Sequence, residues 1–354
     1  MRKSFLLRLI GSIWLVLLFV FPATTQAKSP PKKYHIEVRT ATFGGSTYLL
    51  GFGVCDILNK NSDWVRGSVL ESSGTVEGIK VVGNDPKKRK RSGFNCSADQ
   101  FFKAIKGVPP FDKKAEIYKN VKILIFQQYL AGMFVTLNPD IKTLADLKGK
   151  RVATWPKGSA KFEHSYNLAA GAGKEVLDSI KWQFTDYAGY DDMIVGKTDA
   201  ALTYCGYAGK GRFGPMPKLR ELMSKRRVYF VTATSDMRRK SRELFGDAYG
   251  ATLKLPANTF EPNLPRQDIL CFMPVVAWGV YPDVPDNVVY EIVKTLDENH
   301  TMFKDYHSAG RNIDPTTYGL YPAGKEYFHP GARKYFDEKG IEYGRDYFFK
   351  VFAD

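Results

Sequence analysis

The chain has 354 residues, of which 44% are apolar and 25% charged, and its formal charge is +15. This composition excludes a disordered or collagen-like chain, and the length admits two domains or one large two-lobed one. The positive excess is mostly scattered along the sequence, which fits a solvated surface better than a nucleic-acid groove.

Residues 1–27 read as a secretory leader. Arg2 and Lys3 form the charged start, Leu9 to Phe21 the apolar middle, and Thr25-Gln26-Ala27 a small-x-small cleavage pattern. The apolar run is shorter than the ~20 residues of a spanning helix, so an uncleaved anchor is the weaker reading. Cleavage near Ala27 implies export and leaves a charge of +12, because the leader carries Arg2, Lys3 and Arg8 and no acid.

The alternating run Tyr34 to Val38 reads as a strand, and the apolar-periodic stretch Tyr48 to Leu58 as a helix. Between them lies Thr40-Ala41-Thr42-Phe43-Gly44-Gly45-Ser46-Thr47-Tyr48. Gly44 and Gly45 let the backbone approach a ligand, and Ser46 and Thr47 are candidate caps. Free amides at such a helix start favour a carboxylate or phosphate. From this stretch alone, an ordinary strand-to-helix turn reads equally well. The pattern recurs in Val65 to Leu70 (strand), the loop Glu71 to Thr75 with Ser72, Gly74 and Thr75, and the helical run Val76 to Val82. The basic run Lys87 to Arg91 reads as an exposed loop facing a partner or a membrane surface, since no aromatic residues interleave it for base stacking. Ser92 to Ser97 reads as a third strand, with Asn95 and Ser97 near its end. In a parallel sheet, ligands lie beyond the carboxyl ends of the strands, so three small-polar loops there describe one wall of a cleft.

The apolar stretch Val121 to Leu137 ends at the turn Asn138-Pro139. A short helix within Ile141 to Lys150, closed by Gly149, leads to the strand Arg151 to Thr154. The loop Trp155 to Ala160 then opens a helix to about Ala170 and repeats the first design. The amides of Gly158, Ser159 and Ala160 would hold an anion, aided by Lys157 or Lys161 if either turns inward. Trp182 to Tyr187 and Thr198 to Tyr204 read as strands, with a helix from Tyr190 to Gly196 between them. Tyr187, Tyr204 and Tyr207 are candidate pocket walls, core packing being the rival reading. Cys55, Cys96, Cys205 and Cys271 form no C-x-x-C pair, and both disulfides and buried thiols are open to them. The five histidines belong to no catalytic or metal-ligand spacing.

The loops Thr40 to Tyr48 and Glu71 to Thr75, the segment Leu144 to Val152 and Gly158-Ser159 together resemble the TAXI-type solute-binding proteins of tripartite ATP-independent periplasmic (TRAP) transporters. Gly196 to Ala200, Pro285 to Leu296 and His329-Pro330-Gly331-Ala332 with Tyr335-Phe336 extend the resemblance, in order, over nearly the whole mature chain. It departs from the family at Asn95 to Asp99, where members often carry a glutamine or aspartate, and at Lys87 to Arg91. The resemblance implies an α/β, type II-like periplasmic-binding-protein fold with crossing hinge strands. Lobe 1 would comprise residues 28–137 and 271–354, and lobe 2 residues 138–270. It implies a monomer, not an enzyme, that captures a small anionic or zwitterionic solute (an organic acid, or an amino acid such as glutamate) and delivers it to a membrane permease, with no cofactor, metal or nucleic acid. The ligand would meet Thr42, Gly44, Gly45, Ser46 and Tyr48, then Ser72, Gly74, Thr75, Asn95 and Ser97, and across the cleft Gly158, Ser159, Ala160, Tyr187, Tyr204 and Tyr207. A sensory subunit with the same pocket is one alternative. An exported enzyme for an acidic substrate is the other, and it would need a general base or nucleophile for which no convincing residue stands out.

Overall fold

The structure is a computed structural model that describes residues 33–43, 45–157, 159–207, 213–245 and 252–351. The leader, Gly44 and Gly158 lie outside the described residues.

The first half of the chain lays down β1 (Tyr34–Arg39), α1 (Ser46–Asn61), β2 (Val65–Leu70), α2 (Thr75–Gly83), the one-turn α3 (Pro86–Arg89), β3 (Ser92–Ser97), α4 (Ala98–Lys106), α5 (Ala115–Tyr118) and β4 (Lys122–Thr136). Next come β5 (Arg151–Thr154), α6 (Ala160–Ala170), α7 (Lys174–Ser179), β6 (Lys181–Phe184), α8 (Ala188–Ile194), β7 (Ala200–Tyr207), β8 (Phe213–Pro215), α9 (Pro217–Lys225), β9 (Tyr229–Val231) and α10 (Ser235–Phe245). The chain closes with β10 (Thr252–Leu255), β11 (Ile269–Phe272), β12 (Val275–Val280), α11 (Asp286–Glu298), α12 (Phe303–Tyr306), α13 (Pro330–Lys339) and α14 (Arg345–Val351).

Strand order is β2-β1-β3-β12-β4-β7-β5-β6. β1 pairs in parallel with β2 and β3, as strands joined by crossover helices must. β12 returns antiparallel between β3 and β4. β5 is parallel to both β6 and β7. β4 serves both halves: Lys122 to Tyr129 pair with β12, and Leu130 to Thr136 pair with β7. This strand is buried along almost its whole length, which is why its sequence is a continuous apolar run interrupted only around Gln127-Gln128.

The apolar side chains collect into separate cores. One surrounds Leu50, Phe94, Phe126 and Trp278 and includes Val293, Tyr335 and Phe336 of the late helices. Two others flank the second half, one around Leu144, Val152 and Leu168, the other around Met133, Tyr190 and Leu219. The result is a two-lobed α/β fold.

Several local expectations are corrected. Lys87 to Arg91 is not an open loop, because Asp85 caps a helical turn begun by Pro86, its Oδ1 accepting from the Lys87 amide at 2.8 Å. Arg89 then pairs with Asp283 at 3.2 Å. β6 stops at Phe184, ahead of Tyr187, because Asp186 turns the chain with φ 50°. All four cysteines are free and buried.

α13 crosses α11 closely enough that a Cβ on Gly331 would lie 2.1 Å from the Asp286 carbonyl oxygen. Backbone cannot yield there as a flexible side chain would. Gly331→Ala is therefore expected to destabilise the fold by about 1–3 kcal/mol, seen as a lower midpoint in thermal or urea denaturation.

Candidate functional site

The loops at the carboxyl ends of β1, β2 and β3 are knitted together by their own polar side chains. Ser72 Oγ donates to the Thr40 carbonyl at 2.8 Å and accepts from the Gly74 amide at 3.1 Å. Gly74 has φ 112°, a conformation that only glycine adopts without strain, and it starts α2. Thr75 Oγ1 donates to Asn95 Oδ1 at 2.9 Å and accepts from the Ser97 amide at 3.1 Å. Ser72, Gly74, Thr75, Asn95 and Ser97 are thus brought into one connected wall. At α1 the capping residue is Gly45, with no side-chain cap, and Ser46 is the first helical residue. Neither Ser46 nor Thr47 caps, since a glycine in extended conformation already occupies the position. Thr42 is exposed, and Tyr48 packs edge-on against Phe43 with ring centroids 5.0 Å apart.

The floor comes from the middle of β4. Register brings Ser97 of β3 and Gln128 of β4 to the same β12 residue, Val276. Between Val276 and Ala277 the β4 partner jumps from Gln128 to Phe126, so Gln127 is the extra residue of a bulge. Gln128 Nε2 donates to Thr47 Oγ1 at 3.1 Å and to Gln127 Oε1 at 3.2 Å, tying the strand to the start of α1. Gln100 Oε1, Gln127 Nε2 and Gln128 Oε1 are buried with no hydrogen-bond partner among the described residues. Leaving such a group unsatisfied costs about 1–3 kcal/mol, so a concentration of them marks a place built for a polar occupant.

The opposite side starts at α6. Ser159 is its cap: the hydroxyl accepts from the Phe162 amide at 3.1 Å and donates to the Pro156 carbonyl at 2.8 Å, so it is committed to the turn. Ala160 is the first helical residue. Lys161 turns inward over aromatic faces, its Nζ 4.2 Å from the Trp155 ring centroid and 5.2 Å from that of Tyr187. Burial lowers its pKa to about 8, against the opposing charge of Asp186. Lys157 instead lies over Phe184. Tyr207 stacks on Tyr129 at 4.7 Å, and Tyr204 is buried with its hydroxyl 2.8 Å from His164 Nδ1.

α4 and α6 join the two sides. Lys103 Nζ lies 2.6 Å from Glu163 Oε2, and Asp99 Oδ1 lies 3.4 Å from His164 Nε2. Asp99, His164 and Tyr204 are all buried. Burial opposes the charge on Asp99, but the facing His164 ring and the Gln100 amide, at 2.9 Å, override it and hold the carboxyl down at about 2. Asp99, Gln100, Gln127, Gln128 and His164 were not singled out as site residues by the sequence. The one available signal was two adjacent amides inside an otherwise apolar strand. Among the described residues no group of three or more His, Cys, Asp or Glu is placed to hold a metal ion, and no helix is long and apolar enough to cross a membrane.

A two-lobed α/β molecule with a polar seam at the crossing strands has the fold of the periplasmic binding proteins. The chain belongs to the NMT1-like family, whose model matches residues 38–340. Among solved structures it is similar to MatC from Rhodopseudomonas palustris with bound malate, at 10% identity over 90% of this chain and 100% of that one, with a TM-score of 0.51. Other matches are the periplasmic binding protein BugD (12% identity, 89% and 100% coverage, TM-score 0.49) and a TctC solute-binding protein from Polaromonas (13% identity, 92% and 95%, 0.43). A search of curated protein sequences returns no match.

The folded Asp99 carboxyl, at about 2, lies below its ordinary 3.8. Its stabilising contribution is therefore complete above pH 4 and is lost as the pH falls from 4 toward 2, amounting to about 2 kcal/mol. Acid denaturation followed by circular dichroism should show that Asp99→Asn is less stable than wild type at neutral pH, and that the difference narrows across this window.

Proposed function

We propose that the protein is an extracytoplasmic solute-binding protein of the TAXI type, which captures a small carboxylate-bearing solute between its lobes and delivers it to a TRAP-type permease. The observation that carries this reading is the buried polar seam where the halves meet, with unpartnered side-chain groups on one side and the inward Lys161 on the other. The solute carboxylate meets the amides at the start of α1, including Gly44 and Gly45, and the ammonium of Lys161. Its other polar groups meet Ser97, Gln127 and Gln128. Gly158, Ser159 and Ala160 add backbone amides, and Tyr187, Tyr204 and Tyr207 frame the apolar part of the solute. Malate, the solute in MatC, is of this class.

Lobe 1 is taken as residues 28–137 and 271–354, lobe 2 as 138–270, joined through β4 and the return of the chain at Cys271 to Trp278. Closure about these strands shifts an existing open–closed equilibrium and buries the solute, and no covalent bond changes. The protein works in the periplasm as a monomer, and the permease reads the closed form.

Thermal-shift screening against dicarboxylates, keto acids, amino acids and sugar acids tests the reading. A solute at ~100 times its dissociation constant should add about 2.7 kcal/mol of stability. Silence across the panel would sink the carboxylate assignment. Lys161→Gln is expected to weaken a hit by tenfold or more, about 1.4 kcal/mol, with the unliganded midpoint little changed. In titration calorimetry on wild type, affinity should decline as the pH rises through 8, because Lys161 sheds its proton there. An affinity flat across that pH would remove Lys161 from the anion site.

A further inference from the structure

The basic residues around α3 are joined in space by others from a distant part of the sequence. Lys114 Nζ donates to Asn84 Oδ1 at 2.9 Å, and Tyr118 OH to the same oxygen at 3.2 Å. Asn84 caps the end of α2, immediately before α3, so these two bonds draw residues 112–119 against residues 84–91. The combined face sits where β3 begins, at the end of the first half opposite the seam. β1 begins there too, since Tyr34 OH bonds the Lys90 carbonyl.

The charge on this face is only partly matched. Asp85 pairs with Lys88, Asp283 with Arg89, and Glu116 with Lys119. Lys87, Lys90, Arg91, Lys113 and Lys114 are exposed and have no carboxylate at salt-bridge distance among the described residues. Asp112 is the nearby acid left over, and the exposed Lys33 precedes β1 on the same side.

What covers such a face follows from what it lacks. Protein interfaces have a core rich in aromatic residues and arginine and poor in lysine. Here lysine dominates, and Val108 is the exposed large hydrophobic in this part of the chain. Single-stranded nucleic acid would want aromatic platforms, and none is exposed here. Separate, mobile ammonium groups spread over a face suit a fluid surface of like-spaced negative charges, which is what anionic headgroups present within a Debye length.

We propose that this lysine-rich face docks on an anionic phospholipid bilayer, holding the protein by its first half. The protein purified after export is sedimented with phosphatidylcholine vesicles, with and without phosphatidylglycerol. One variant replaces Lys87, Lys90, Arg91, Lys113 and Lys114 with Gln. A second replaces Lys148, Lys174, Lys218, Lys225 and Lys240 with Gln, removing equal charge from the other half.

Binding only to the phosphatidylglycerol vesicles, reduced about tenfold or more in the first variant and little changed in the second, supports the assignment. Release of wild type near 1 M salt, where the Debye length is about 3 Å, supports it independently of any variant. Equal binding to both vesicle types, or equal loss in both variants, overturns it. So does retention on heparin without vesicle binding, which would give the face to another polyanion.

Discussion

Fifteen residues of β4 carry both halves of this molecule. A strand paired on both edges and covered on both faces must be apolar, and from Ile123 to Thr136 it nearly is. The exceptions are Gln127 and Gln128, at the level where its partner changes from β12 to β7. A bulge there bends the strand, and Gln128 ties it to Thr47 at the start of α1. A second register shift follows between Trp278 and Gly279, so the pairing of β4 with β12 is irregular on the approach to the seam.

The seam is polar at a cost. Each unpartnered buried atom lowers stability by an amount comparable to a whole hydrogen bond, and several lie close together. The surrounding structure supplies the compensation. Thr75 bonds Asn95 and the Ser97 amide, Ser72 bridges the Thr40 carbonyl and the Gly74 amide, the aromatic cores pack on either side, and the Asp99–His164 contact and the Lys103–Glu163 pair hold α4 to α6. A closely packed frame around under-satisfied groups holds those groups in place rather than letting them turn to other partners.

Much of the frame was legible in the sequence. Alternation at Tyr34 to Val38 and the glycine loops that follow announced parallel strands, and the small polar residues after β2 and at the end of β3 lie together at the carboxyl ends of those strands. What escaped was whatever depended on partners distant in sequence. Gln127 and Gln128 read as minor interruptions of an apolar run, because only the register with β12 reveals the bulge. His164 looked like any helical histidine until α6 was placed against α4. Ser46 and Ser159 looked equivalent, yet Gly45 holds the cap position before one while the other's hydroxyl closes its own turn. At α3, Asp85-Pro86 was a local signal of a helix start that the surrounding lysines masked.

The buried free thiols have a consequence for how the chain matures. Burial pushes Cys55, Cys96 and Cys271 up to about 12, which disfavours the thiolate that oxidation requires. Once folded, the protein is inert to thiol exchange even in an oxidising compartment. Close packing, rather than a covalent staple, is then what holds the strands and helices that carry these residues.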